Sequence, residues 1–167
     1  LPIELFLDDV VRRKPTRIPG TAVFMTSNLG SAPPVMLHHV KHNKVLHERI
    51  ILVSVLTEEV PAVPETERAA ARDLGSGFFQ VVAHYGFMEQ PRLPEALEWC
   101  ADDGLDINPM DTSYFLGRET LIPRLDSEMS LWRVKIFAGM FRNAGSAASF
   151  FGLPANRVVE LGTQVVL

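Results

Sequence analysis

The densest group of side chains that could do chemistry lies between residues 38 and 49, where imidazole, ammonium and guanidinium groups crowd together. His38 and His42 are four residues apart, a spacing that places both rings on one face of a helix and that metal-binding pairs use. No cysteine or aspartate cluster nearby completes a tetrahedral set, so we predict no metal and no cofactor. Two interpretations stay open: a polar helix end, or a surface for an anionic ligand or partner, with candidate ligand-binding residues Lys41, Asn43, Lys44 and His47.

A second set of candidate ligand-binding residues follows two predicted strands. Ser27 and Asn28 come after a buried run at residues 21–25, and Arg118 comes after a short strand at 113–116. Open α/β sheets bind ligands outside the carboxyl ends of their strands, so a nucleotide would be expected beside these residues. The chain has neither a GxGxxG fingerprint nor a Walker-type phosphate loop. The alternative for Arg118 is a structural ion pair or a strand-end turn with Glu119.

The chain lacks the sequence signatures of common hydrolytic sites. It contains neither a GxSxG elbow, which would raise a nucleophilic serine, nor an HExxH pair. The single cysteine, Cys100, cannot form an intrachain disulfide, which suits a reducing compartment. Its place beside Trp99 predicts a half-buried helix residue. We therefore predict that the chain is not an enzyme.

Composition indicates one globular domain. Apolar residues make up 47% and charged residues 22% of the 167 residues, which is ordinary globular usage. Sixteen Lys and Arg against twenty Asp and Glu do not give the basic excess of a nucleic-acid-binding domain, so no nucleic-acid partner is expected. The longest apolar run, residues 50–56, is far shorter than the ~20 residues of a spanning helix. The acidic first turn is unlike a signal peptide, and a start at Leu1 without an initiator Met suggests a piece of a longer polypeptide.

Hydrophobic periodicity predicts alternating helices and strands. Helices are expected over residues 3–14, 34–42, 94–101, 128–143 and 146–151. Strands are expected over residues 21–25, 49–56, 66–74, 78–85, 113–116 and 157–167, with a turn at 19–20 and a bulge at Gly162. This order predicts an α/β layered sandwich with a mostly parallel mixed sheet and one antiparallel hairpin. We divide the chain into a connecting amphipathic helix at 1–16 and a single α/β domain at 17–167.

Several segments resemble one known family. They are RIPGTAVFMTS at residues 17–27, PPVMLHHVKHNKVLHERIILVSV at 33–55, YGFME at 85–89, TSYFLGRETLIP at 112–123 and PANRVVELGTQVVL at 154–167. Together they span nearly the whole chain in order. They closely resemble the C-terminal region of Kup-type potassium uptake transporters, the KUP/HAK/KT family.

The resemblance implies a parent protein that imports potassium, with protons, across the plasma membrane. It places this domain on the cytoplasmic face, with a fold similar to universal stress proteins and a regulatory or assembly role. Its expected partners are the transmembrane domain of the same polypeptide and a second copy in a homodimer. The alternative is a nucleotide-sensing module whose effector is cyclic di-AMP or an adenine nucleotide. Against ATP, the glycines at 139, 145 and 152 are not spaced like the phosphate loop of universal stress proteins.

Overall fold

A computed structural model describes the backbone of residues 1–122 and 146–166, and the side chains of residues 1–117 and 146–162. Its centre is a sheet of six strands: β1 (Thr16–Met25), β2 (Val45–Glu58), β3 (Ala69–Gly75), β4 (Phe78–Gly86), β5 (Thr112–Ile122) and β6 (Val158–Val166). Their order is β3-β4-β2-β1-β5-β6. Neighbouring strands are parallel except for the antiparallel pair β3 and β4. The predicted mixed, mostly parallel sheet with one hairpin is confirmed.

Four helices are described around this sheet: α1 (Ile3–Arg13), α2 (Pro34–Asn43), α3 (Leu93–Trp99) and α4 (Ala147–Phe150). Pro34 occupies the first turn of α2, where its missing N–H is not needed, and Lys44 ends that helix in the left-handed conformation. The long helix predicted over residues 128–143 lies outside the described residues.

Alternate residues of the central strands enter two separate cores. In β2, Ile50 and Leu52 pack with α1 and α2, whereas Ile51 and Val53 pack with α3 on the opposite face. Both faces of the strand are buried, which is why its sequence is an unbroken apolar run. The sheet is thus the middle layer of a layered α/β sandwich, as predicted.

Helix α1 contributes to one of these cores. Ile3, Phe6 and Val10 are buried with α2 and the sheet. The ring of Phe6 meets that of Phe78 edge-on, with centroids 6.0 Å apart. The connecting role predicted for residues 1–16 stays a prediction, and the helix itself packs as a core element.

The turn predicted at residues 19–20 is wrong, because these residues lie inside β1. The pairing register with β2 shifts between Ile18 and Thr21, and Gly20 has a φ of +100°. Such an irregularity accommodates Pro19, which has no N–H to offer to a ladder. Strand β1 therefore begins five residues before the predicted run.

The far side of the sheet also differs from expectation. Strand β5 continues to Ile122, because β6 pairs with it well beyond the last pair that β5 makes with β1. Pairing runs without a register shift through Gly162, which faces Arg118. The bulge predicted at Gly162 is therefore wrong.

Strand β3 forms one edge of the sheet. The N–H of Ala71 donates a hydrogen bond to a carboxylate oxygen of Asp103 at 3.0 Å. Asp103 belongs to the short 3₁₀ turn Ala101–Asp103 that follows α3. A side chain from a neighbouring turn thus occupies part of the exposed edge.

Candidate functional site

The seven predicted ligand-binding residues lie on two opposite edges of the sheet. We call the edge where the parallel strands end the carboxyl edge, and the edge where they begin the amino edge. Ser27, Asn28 and Arg118 lie toward the carboxyl edge, beyond the last pair between β1 and β5. The four others, Lys41, Asn43, Lys44 and His47, lie around the end of α2 and the start of β2, on the amino edge. The structure therefore does not bring all seven into one site.

The loop after β1 has the position that a ligand site of this fold would have. The chain passes from β1 to β2 on one side, while β5 lies on the other side, so the strand order reverses beside β1. Ser27 and Asn28 are exposed there. The side-chain oxygen of Asn28 accepts the N–H of Gly30 at 2.9 Å, and Thr26 bonds both the N–H and the carbonyl of Asn28. These contacts hold the loop in a fixed turn and leave the Ser27 side chain exposed.

Arg118 lies farther along the same edge. Its backbone belongs to β5 and pairs with Gly162, three residues beyond the pair of Phe115 with Phe24. The side chain of Arg118 lies outside the described residues. Binding of a nucleotide by Ser27, Asn28 and Arg118 stays a prediction.

The four residues of the amino edge have local roles that are visible in the structure. Lys41 and Lys44 are exposed at the end of α2. Cations at a helix C-terminus complement its partial negative charge, which also disfavours an anion at the same place. Asn43 bonds the His39 ring, with Nδ2 2.9 Å from Nδ1. This arrangement fits the interpretation as a polar helix end, and the anionic-ligand surface stays a prediction.

The buried position of His39, beside His47, was missed by the sequence reasoning. His39 is buried on α2, and its ring centroid is 4.8 Å from that of Phe115 and 5.8 Å from that of His47. His39 Nε2 and His47 Nδ1 are buried atoms with no hydrogen-bond partner among the described residues. The signal was present in the sequence, because Met36 and His39 are three residues apart on the apolar face of the helix.

The surroundings of both histidines favour the neutral ring. Burial lowers the pKa of His39, and the neighbouring His47 lowers it further. Burial also lowers the pKa of His47, while the charge of Asp111 acts in the opposite direction. The other pair, His38 and His42, is exposed, with stacked rings 5.9 Å apart. Within the described part of the chain, no group of three or more metal-binding side chains forms.

The loop that follows β4 is anchored by one carboxylate. Glu89 accepts hydrogen bonds from the N–H of Gly86 at 2.8 Å, the N–H of Val63 at 3.0 Å and the guanidinium of Arg68 at 2.6 Å. The two backbone bonds, followed by Arg68, lower the pKa of the Glu89 carboxyl. Arg68 also lies over the ring of Trp99, 5.3 Å from its centroid. Residues 63, 68, 86 and 89 are therefore tied together.

Backbone contacts complete this anchoring. A side chain at Gly86 would collide with the Pro61 carbonyl, so only glycine fits there. The hydroxyl of Tyr85 donates to the carbonyl of Arg92 at 2.9 Å and accepts its N–H at 3.2 Å. Tyr85, Gly86 and Glu89 thus have structural roles in the YGFME segment, while Phe87 and Met88 between them are exposed.

The only cysteine has the environment of an inert thiol. Cys100 is fully buried just after the end of α3, not half-buried in the helix as predicted, and its Sγ donates to the Ala96 carbonyl at 3.5 Å. Burial, followed by the nearby charge of Asp103, raises the pKa of the thiol to about 11. A nucleophile requires the thiolate, which this environment disfavours.

These features define the class of protein as a layered α/β domain with a parallel central sheet and helices on both faces. The chain belongs to the family described as the K+ potassium transporter C-terminal domain, whose model matches residues 19–167. The resemblance to Kup-type transporters is thereby confirmed. Among the described residues, no helix is both long enough and apolar enough to cross a bilayer.

Curated relatives match over the full length of this chain. A protein of Anaeromyxobacter dehalogenans (strain 2CP-C), named "Probable potassium transport system protein Kup", is 59% identical over 100% of the chain and 26% of its own length. A protein of the same name from Anaeromyxobacter sp. (strain Fw109-5) is 55% identical with the same coverage. "Probable potassium transport system protein Kup 1" of Dechloromonas aromatica (strain RCB) is also 55% identical, again over 26% of its length. The chain thus spans about a quarter of these relatives. No solved structure matches it.

Proposed function

We propose that this chain is the cytosolic regulatory and assembly domain of a potassium importer. The single observation that carries the proposal is coverage: the match takes in all of this chain but only 26% of relatives named as potassium transport proteins. In this proposal the chain is an accessory part of the transporter, and the transport path belongs to the other three quarters. In this proposal the parent protein is a potassium and proton symporter of the plasma membrane.

The proposal assigns no reaction to the domain itself. Its relatives are named as transport proteins, and the buried thiol of Cys100, with a pKa of about 11, is a poor nucleophile. The domain acts by contact with the transmembrane domain of the same polypeptide and with a second copy on the cytoplasmic face. It is the part of the transporter on which intracellular signals act.

Removal of the domain from the full-length transporter tests this role. The truncated and complete proteins would be expressed in cells without other potassium uptake, and rubidium uptake would be measured at several pH values and osmolarities. We expect uptake per inserted transporter to lose its dependence on at least one condition, or to fall. Immunoblots of isolated membranes control for insertion. Identical uptake by both proteins under every condition would contradict the proposal.

A second candidate function is nucleotide sensing, and one observation favours it. The strand order reverses beside β1, where Ser27 and Asn28 are exposed, and such places bind nucleotides in other open α/β sheets. Isothermal titration of the purified chain with ATP, AMP and cyclic di-AMP tests it. We expect one of these ligands to give a binding heat. The double substitution Ser27→Ala with Asn28→Ala should lower its affinity at least tenfold. The absence of heat at millimolar ligand would reject this function.

A further inference from the structure

Three exposed apolar side chains lie together on the carboxyl edge. Phe87 and Met88 are 60% and 76% exposed, and Val60 beside them is also exposed. The N–H of Phe87 bonds the carbonyl of Val60 at 2.9 Å, and the N–H of Met88 bonds that of Pro61 at 3.2 Å. The loops after β2 and β4 are thereby joined into one structure. We call Val60, Phe87 and Met88 the apolar tip.

The apolar tip is held away from the core by its supports. Glu89 links both loops through hydrogen bonds to Gly86 and Val63, and Gly86 lies so close to Pro61 that no side chain would fit between the loops. In this position both large side chains remain mostly exposed. Exposed apolar groups on a fixed support are typical of a docking surface.

The chain begins at the same edge of the sheet. Pro2 forms a bridge with Ser31, and the N–H of Ala32 bonds the carbonyl of Leu1 at 2.9 Å. These residues belong to the loop between β1 and α2, which leaves the carboxyl end of β1. The matching family is described as a C-terminal domain, so in the proposed function the rest of the transporter is joined ahead of α1. This arrangement would bring the rest of the transporter to the carboxyl edge.

We infer that the apolar tip docks against the membrane-embedded part of the same polypeptide. Two observations favour this docking partner. The apolar tip lies on the same edge of the sheet as the start of α1, and three quarters of the relatives' length lies outside this chain. Because both parts belong to one polypeptide, each is present near the other at an effective concentration on the order of millimolar. A small apolar contact is therefore enough to hold them together. This inference rests on the proposed function and adds the surface through which the domain acts.

Photo-crosslinking in the full-length transporter tests the inference. The probe p-benzoyl-phenylalanine would replace Phe87 in one protein and Met110 in another, which serves as the matched control. Met110 is 73% exposed but lies in the turn before β5, on the amino edge. We expect Phe87 to crosslink within its own polypeptide, at a peptide preceding Leu1, and the Met110 probe to give at least fivefold less product. Adding Met88→Asp should reduce the Phe87 product several-fold, because a carboxylate is costly in a desolvated contact.

Each other outcome overturns the inference. Crosslinks from Phe87 to a second copy, to lipid or to an unrelated protein would identify a different partner for the apolar tip. Equal amounts of product from both probes would show no preference for the carboxyl edge. Mass spectrometry of the crosslinked peptides, with two copies of different isotopic label, separates contacts within a chain from contacts between chains. If removal of the domain alters uptake while the Phe87 probe finds no intrachain partner, the docking surface is wrong and the proposed function stands.

Discussion

The rings of His39 and His47 lie 5.8 Å apart between α2 and the sheet, and each keeps one buried nitrogen without a described partner. Protonation of either ring would place a charge beside Phe24 and Phe115 rather than in water. The pair is therefore compatible with the fold in its neutral form. Two neighbouring groups face this histidine pair: Asn43 forms a hydrogen bond with His39, and the charge of Asp111 raises the pKa of His47.

Acid should destabilise the domain through this pair. Because both folded pKa values lie below the ordinary value of 6.5, the unfolded chain takes up protons first as pH falls. Stability is complete above pH 6.5 and declines as pH falls through the depressed folded values. Urea unfolding at pH 7.5, 6.5 and 5.5 measures this, and we expect His39→Leu with His47→Leu to flatten the profile. A profile equally steep in the variant would contradict the assignment. The lowered pKa of Glu89 acts in the same direction, but only below its ordinary value of 4.5.

Substitution of Gly86 should destabilise the domain. Gly86→Ala would drive a methyl group into the Pro61 carbonyl, and overpacking of this kind costs about 1–3 kcal/mol. Gly117→Ala is the matched control, because a side chain there meets nothing within 4 Å and should change the free energy of unfolding by less than about 0.5 kcal/mol. Chemical denaturation compares the two, and equal effects would show that the two loops can separate.

Two neighbouring residues test whether α1 is a core element. Phe6 is buried and Leu5 is exposed. We expect Phe6→Ala to lower the free energy of unfolding by about 3–5 kcal/mol and Leu5→Ala by less than about 0.5 kcal/mol. Similar small effects at both positions would mean that α1 is only loosely attached. Thermal and urea unfolding of the purified chain supply the measurement.

Cys100 should react slowly in the folded chain. A thiol pKa of about 11, against an ordinary 9.0, leaves roughly 100-fold less thiolate at pH 8, and the thiolate is the reacting species. Labelling with iodoacetamide at pH 8, with and without 6 M guanidinium as the unfolded reference, should show at least this ratio. Rapid labelling of the folded chain would place the thiol at the surface.

The central strands could be predicted because burial on both faces produces an unmistakable sequence. The run from Ile50 to Val53 belongs to two cores at once and admits no polar residue. The start of β1 was harder to predict, because Pro19 and Gly20 favour a turn by local preference and only pairing with β2 retains them in the strand. Tertiary pairing overrides local preference at such positions.

The candidate site could be predicted less well than the fold. Ser27 and Lys44 are close in sequence, but α2 carries the chain back across the sheet between them, and its ten residues span about 15 Å. The residues after β1 and those before β2 therefore lie on opposite edges. His39 was grouped with its polar neighbours, whereas its spacing from Met36 placed it inside.

The bond from Ala71 to Asp103 has a consequence for self-association. An outer strand with free amide groups can recruit the same strand of another molecule and merge two sheets into one. Here the Asp103 carboxylate already accepts one of those amide groups, and a second molecule pairing with β3 would have to displace it. Association of two copies through β3 is therefore disfavoured.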